Sequence, residues 1–549
     1  MNTKSSIKPG LKRFLLRYFP PGIILEYANE RGDVKTQTID LLDLNSTSNP
    51  DLIADSIIRE VDVLSSSKRP QILKMINKLI SRQNEGLIFS RYNLSLKFKP
   101  HSFPLTNAFF NKTGTRVITS SHDRTSKIWN TETGSQLFQL SGHTNVVFIS
   151  IFNNPFSDKI LTGSFDRTVR VWDAQNGAHL HTLCSNDEDK QMSEVLTLAS
   201  SQRKANIAAS GGLNGDCIVW DINEGKMVSY LLGHTASIVA LSFHPLNDLL
   251  ISASFDGTVR LWDYSVGSSL HTMNPLQNVH RLVSSAKSEQ EEGKTKLASV
   301  SSALPSASLS EIASANFTFT GEMISVSTFN GTFSLFETET GKNIANVSLP
   351  SNAVCSALSP SSSLAAIGLD NGEIFVYRIV IADIDPSTLN EDESRVSLVP
   401  FASSTSLSTF TSLSSPSSPQ SVLSSFPHSD SITQLSFNPQ GTLLLSSSAD
   451  GECRLWDVNG SINSDEHTHK ASSSKTTSKS SSCSASDFSS SAFRTLRCLQ
   501  VLRTDSDCEF IKSEFNYEGD LILAATREGE CCVWKKTAPG EKKVMSART

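Results

Sequence analysis

Four histidines recur in this chain with an aspartate 22 or 23 residues later and a tryptophan 28 or 29 residues later. They are His101 with Asp123 and Trp129, His143 with Asp166 and Trp172, His234 with Asp256 and Trp262, and His428 with Asp450 and Trp456. A histidine beside a carboxylate is the raw material of general acid–base catalysis. A catalytic pair is needed once, however, and this trio returns at a fixed period, which assigns it to architecture. The sequence contains no GxxxxGK[ST] phosphate loop, no HExxH, no GxSxG elbow and no second zinc pair. His467 and His469 in "DEHTHK" are a lone pair, too small a cluster to hold a metal firmly. No cofactor and no catalytic or metal site is expected.

The period itself is explicit. "SFDRTVRVWD" at 164–173 returns as "SFDGTVRLWD" at 254–263, with variants "SHDRTSKIWN", "GLNGDCIVWD", "SADGECRLWD" and a worn "REGECCVW". All six tryptophans, including Trp220 and Trp534, hold the same place in a copy, and Phe336 and Tyr377 take that place in two more. Successive anchor rings lie 43, 48, 42 and 41 residues apart, the length of a four-stranded repeat unit. Three longer gaps of 74, 79 and 78 residues contain Ser-rich insertions at about 276–309, 382–427 and 460–493. These are too poor in apolar surface to order themselves and are expected to be disordered surface loops, in which Ser415 and Ser418 each precede a proline.

Within a copy, Val169 and Val171 alternate with Arg170 and Trp172, as in a strand leaving a turn. The corner is Asp-Gly or Asn-Gly at Asn214, Asp256, Asn330, Asn371 and Asp450, pairs that suit a tight two-residue hairpin. The phrase, the spacing and the Gly-His of "SGHTNVV" and "LGHTASI" resemble the WD40 repeat family of β-propellers. That resemblance implies a hydrogen-bonded chain joining His, corner Asp, a strand Ser or Thr and Trp in the four copies named above, with a structural role. Copies three, five, six and eight lack the His and should have incomplete chains. The expected fold is mainly β: an eight-bladed WD40 β-propeller over residues 87–536, preceded by a small α+β domain over 1–86 and followed by a tail, 537–549. The alternating "LIFSRYNLSLKF" at 87–98 is expected to complete the eighth blade and close the ring.

At 549 residues with 38% hydrophobic and 19% charged residues, the chain can bury a large core. A net charge of −6 without a basic stripe speaks against nucleic acid, and no apolar run reaches membrane-spanning length. Nine cysteines, with no CxxC pair, fit a reducing compartment. No secretory signal precedes the fold, and the basic first twenty residues (Lys4, Lys8, Lys12, Arg13, Arg17) only weakly resemble a mitochondrial presequence.

The first 86 residues narrow the reading. "LLRYFPPGIILEY", a polar turn "ANERGD" and "VKTQTIDLLDL" form a hairpin pattern with Ile23, Leu25 and Tyr27 on alternate positions. Two helices follow, one capped by Asn49 with Pro50 in its first turn and a stripe of Ile53, Ile57, Val61 and Leu64, the other carrying Ile72, Ile76 and Leu79. "LRYFPPGIILEY" and "IDLLDL", with "FPLTNAFFNKTGT" and "LSFNPQGTLLLSSSADGECRLWD" further on, resemble the dynein assembly factors with WD repeats, the outer-dynein-arm transport adaptors of cilia. The resemblance spans both domains outside the insertions. It implies a monomeric, non-catalytic cargo adaptor of cytoplasm and cilium, linking the outer-arm dynein complex to an intraflagellar transport complex B subunit, without nucleic acid or membrane insertion. Carried over by position, the transport-side contact falls near Arg17, Tyr18 and Phe19, with Pro20, Pro21 and Gly22 shaping the turn. Phe165, Phe255 and Phe329, each just before a corner Asp or Asn, are further candidate anchors on one face. The competing reading is a general WD40 scaffold, such as a ubiquitin-ligase substrate receptor. An RNA-processing factor would call for a basic face that the charge balance does not supply.

Overall fold

Short alternating runs bounded by Gly, Asn and Asp make strands, and strands dominate this chain. The computed structural model describes residues 10–17, 21–28, 34–41, 49–61, 66–84, 91–185, 192–275, 311–381, 396–404, 427–458, 494–504 and 508–537, with Leu44 and Leu64. The insertions at 276–309 and 460–493, and all of the tail but Thr537, lie outside the described residues.

Among the described residues, β1 (Gly10–Arg17), β2 (Gly22–Ala28) and β3 (Val34–Asp40) form an antiparallel sheet in that order. Helix α1 (Pro50–Glu60) starts where expected: the Asn49 side chain accepts from Asp51 N–H at 3.0 Å and Pro50 occupies the first turn. With α2 (Arg69–Asn84) it covers one face of the sheet, burying Ile23, Leu25, Ile57, Ile72, Ile76 and Leu79. The reading of a two-stranded hairpin was one strand short. β1 pairs along β2 from Gly10↔Ala28 to Arg17↔Gly22, so the basic stretch around Arg13 is sheet.

Among the described residues eight further sheets follow, seven of four antiparallel strands and one of five, in which the short fifth strand Arg494–Thr495 pairs parallel to Val396–Ser403. In the second, Val147–Phe152, Lys159–Ser164, Val169–Asp173 and His179–Leu183 pair in chain order from the inside outward. Inner and middle strands are buried on both faces, whereas His179–Leu183 is largely exposed. The reason is that each sheet is sandwiched between two others: Leu161, Val169 and Val171 of the second pack with Ala208, Ile218 and Trp220 of the third. The first strand of each sheet packs on the first strand of the next, and Phe510–Phe515 of the last packs back on Leu105–Phe110 of the first. β4 (Tyr92–Phe98) is the outer strand of the last sheet, pairing from Cys531↔Phe98 to Lys536↔Tyr92. The strand made before the first sheet thereby covers the edge left by the last.

Two expectations need correction. The stretch 382–427 is not all insertion, because Val396–Ser403 is the fourth strand of the sixth sheet and pairs with Ile374–Ile381. A register shift at Phe401, next to Pro400, breaks its alternation and hides it in a Ser-rich neighbourhood. The turn at the corner also differs from a two-residue hairpin. Arg167 N–H donates to Ser164 O and Ser164 N–H to Thr168 O, both at 3.3 Å, which makes a three-residue loop. Only its third residue is left-handed, and this is Gly257 (φ 81°) in the fourth sheet but Arg124 (φ 68°) and Arg167 (φ 66°) in the first two.

Candidate functional site

The four histidines each sit on the loop entering a sheet and reach the corner turn of the same sheet. Their Nδ1 atoms lie 2.6, 2.7, 2.8 and 2.8 Å from Asp123, Asp166, Asp256 and Asp450. Their Nε2 atoms lie 2.7–2.9 Å from the hydroxyls of Thr119, Thr162, Ser252 and Ser446. Those hydroxyls also accept the indole N–H of Trp129, Trp172, Trp262 and Trp456, at 2.8–3.2 Å. One hydrogen pattern satisfies every atom: indole N–H to hydroxyl, hydroxyl O–H to Nε2, and Nδ1–H to carboxylate. The sequence had left the hydroxyl residues unnumbered, but each lies ten positions before its tryptophan.

A hydroxyl, an imidazole and a carboxylate in line are also the parts of a nucleophilic triad. Here Thr119, Thr162, Ser252 and Ser446 are completely buried and already hold an indole, so no substrate atom can approach. Burial lowers the pKa of His101 and His428, against the opposite pull of Asp123 and Asp450, and keeps them neutral. Burial alone would raise Asp450, but His428 and the Ser429 and Glu452 N–H groups bring it down to about 2. His428, Asp450 and Glu452 bring three donor atoms within 4.8 Å of one another, yet His428 is used by Asp450 and Ser446, and Glu452 by Arg454 and Arg503. The glycine of Gly-His has its own reason: at Gly233 a Cβ would sit 2.6 Å from the Arg260 guanidinium, and Gly142 faces Arg170 in the same way.

The candidate partner contacts fall in two places. Arg17 ends β1, on the side of the head that meets the sheets, while Tyr18 and Phe19 lie outside the described residues. The head is held there by Arg13, which bonds Glu26 and, at 2.9 Å, Asp158, and lies 4.0 Å over the Phe156 ring. Thr36 donates to Arg203 O at 2.7 Å, Lys78 meets Glu518 at 2.8 Å, and Tyr517 packs against the apolar core of the head. Beside these contacts opens a cavity of about 370 Å³ lined by Phe110, Lys112, Phe152, Asn154, Glu514 and Tyr517. Burial first, and the Arg17 charge second, bring Lys112 down to about 8, with its ammonium 3.7 Å over the Tyr517 ring. Behind it, burial lowers Lys512 to about 7 and raises Glu514.

The three phenylalanines lie on corner turns and are paired. Phe165 stacks on Phe148 at 5.4 Å and 14°, and Phe255 meets Phe329 at 6.3 Å and 56°. Phe165 and Phe329 are half-buried, whereas Phe255 is exposed. Sequence reasoning missed Phe148 and Leu213, both exposed; Leu213 occupies the same turn position in the third sheet.

Four segments of the chain, residues 93–130, 134–173, 225–263 and 420–457, match the family described as WD domain, G-beta repeat. These contain the four complete histidine chains, so the chain carries WD40 repeats over those segments. Over 147 residues the chain is 46% identical to Dynein assembly factor with WD repeat domains 1 of Xenopus laevis, covering 27% of this chain and 35% of that protein. The Homo sapiens protein of the same name is 41% identical over 148 residues, with the same coverage. Protein tipD of Dictyostelium discoideum is 37% identical over 81 residues, 15% of this chain and 13% of that one. The match thus spans about a third of the length of the dynein assembly factors, less than the whole of both domains that the sequence resemblance suggested. Among solved structures, the crystal structure of the computationally designed Ika8 protein aligns with a TM-score of 0.52 at 20% identity, covering 80% of this chain and 99% of that one, a likeness of fold alone. No helix among the described residues is long and apolar enough to cross a membrane.

Proposed function

We propose that this protein is a non-catalytic cargo adaptor that links preassembled outer-arm dynein to an intraflagellar transport complex B subunit for delivery to the axoneme. In this reading the eight sheets are the blades of one closed propeller, residues 1–86 and 87–536 are its two working units, and the protein acts in cytoplasm and cilium as a monomer. The likeness to the dynein assembly factors carries the proposal. The docked head supports it, because Arg17 and Lys112 put positive charge beside a cavity in the sheets on the side where the head docks. Buried, fully bonded histidines support the non-catalytic part.

The test is affinity purification of the full chain and of Lys112→Glu from cells of the source organism, read by mass spectrometry. Dynein subunits and complex-B proteins should accompany the full chain, and Lys112→Glu should lose the complex-B proteins alone. Recovery of ubiquitin-ligase components in place of both classes would favour the general scaffold reading.

A further inference from the structure

The corner turns form a ring of eight equivalent positions, and their chemistry is lopsided. In sheets two to five they are Phe165, Leu213, Phe255 and Phe329, whereas in the other four they are His122, Asp370, Ala449 and Arg527. Phe148 extends the apolar arc by stacking on Phe165. Phe148, Leu213 and Phe255 are 37%, 47% and 36% exposed, so the arc is open to a partner.

Charge marks both ends of the arc. Arg124 in the first sheet and Glu311 at the fifth are exposed, and neither makes an ion pair among the described residues. Arg124 and Arg167 also hold the left-handed turn position that is glycine in the other six sheets, a conformation that disfavours any side chain by roughly 1–2 kcal/mol. Arg167 meets Glu194 at 3.0 Å, an exposed pair too weak to offset that cost, and Arg124 has no such pair. Two strained arginines beside an exposed aromatic arc are an independent sign of a site.

The backbone of the arc settles how it can be read. The N–H groups of Phe165, Leu213, Phe255 and Phe329 already donate to Val146, Glu194, Ser237 and Glu311 carbonyls at 2.9–3.0 Å. No edge is left for an added strand, so recognition must run through side chains, as when an amphipathic helix lies in a groove. We propose that the arc from Phe148 to Phe329 docks an amphipathic helix of a protein partner, with its acidic end over Arg124 and Arg167 and a basic residue toward Glu311. Only the naming of that partner as the dynein cargo rests on the adaptor reading.

The experiment places the photo-cross-linker p-benzoylphenylalanine at 255 in the full chain, expressed in cells of the source organism, and maps the attached peptide by mass spectrometry. The expected peptide has apolar residues at helical spacing with acids at one end. Its yield should fall roughly tenfold with Arg124→Glu and survive Arg124→Lys, while both variants keep the parent melting temperature. Attachment to a second copy, to the Ser-rich segments of the same chain, to lipid, or to nothing overturns the proposal, as does a yield indifferent to Arg124→Glu. A helix of the expected pattern from a protein other than dynein leaves the surface standing and removes the cargo assignment.

Discussion

Sheets one, two, four and seven are tied by Trp–hydroxyl–His–Asp chains, and sheets three, five, six and eight fold into the same shape without them. What replaces the chain differs each time. The third sheet keeps Trp220 on Ser210 at 2.8 Å, while Asp216 receives the Ser193 N–H and the Tyr230 hydroxyl. The fifth buries Phe336 in place of tryptophan and bonds Thr328 to Thr332 across the corner at 2.7 Å. The sixth buries Tyr377 beside Ile367, and the eighth keeps Trp534 beside Ala524, with the Thr526 hydroxyl accepting the Glu530 N–H at 3.1 Å. The ring position is filled in all eight, so its packed volume is the common requirement. The polar chain is an added tie that locks one loop to one turn.

The largest effect expected from this comparison comes from the shared ring. Trp262→Ala should cost about 3–5 kcal/mol in urea unfolding, and Phe336→Ala in the fifth sheet about as much. A much smaller loss at Phe336 would mean that volume matters only where the polar chain is complete.

Next comes the chain itself. His428→Ala leaves the buried Ser446 hydroxyl and Asp450 short of a partner and should cost about 1–3 kcal/mol, whereas Ser193→Ala in the third sheet, which removes only the hydroxyl that accepts the Asn214 N–H at 3.2 Å, should cost about 1 kcal/mol or less. Amide exchange gives the parallel test, since sheets five, six and eight should exchange faster than one and seven. Equal protection would break the comparison.

Acid should widen it. The folded-state pKa of His101 and His428 lies below the ordinary value, so the unfolded chain takes up protons first. Stability is therefore full above about pH 6.5 and declines as pH falls toward the lowered values. The depressed carboxylates act later and in the same sense, their contribution being lost below about pH 4. Unfolding followed by pH should show the first loss in sheets one and seven, and His428→Phe should flatten it. The smallest effect lies in the turns, where Arg124→Gly should raise stability by up to about 1 kcal/mol, measured by thermal unfolding.

Much of this architecture was legible because one position is so constrained. Trp129, Trp172, Trp220, Trp262, Trp456 and Trp534 marked their sheets, and Phe336 and Tyr377 were recognisable because the corner Asn-Gly stayed in frame. The hydroxyls at Thr119 and Ser446 were invisible singly, since serine and threonine are common in strands and only the bond to an indole distinguishes them. β1 was missed because Arg13 and Arg17 interrupt Leu11, Phe14 and Leu16, and Arg13 finds its partner, Asp158, 145 residues away. For the same reason Tyr517 could not be assigned to the core of the head. Contacts between distant segments leave no local period. Of the candidate surfaces, the aromatic turn positions could be read from the repeat frame, whereas Lys112 and Glu514 share a cavity only through ring closure.

The way the ring is shut sets an order of events during synthesis. β4 leaves the ribosome before any of the eight sheets, yet its hydrogen-bonding partner, Cys531–Lys536, is made only after the other seven. Tyr517 and Glu518, which complete and anchor the head, arrive equally late. These segments must therefore find each other across more than four hundred residues of chain. Until they do, β4 keeps an unpaired edge and the head lacks the Tyr517 contact. A chain interrupted before the last sheet would keep both defects, however well its other sheets fold.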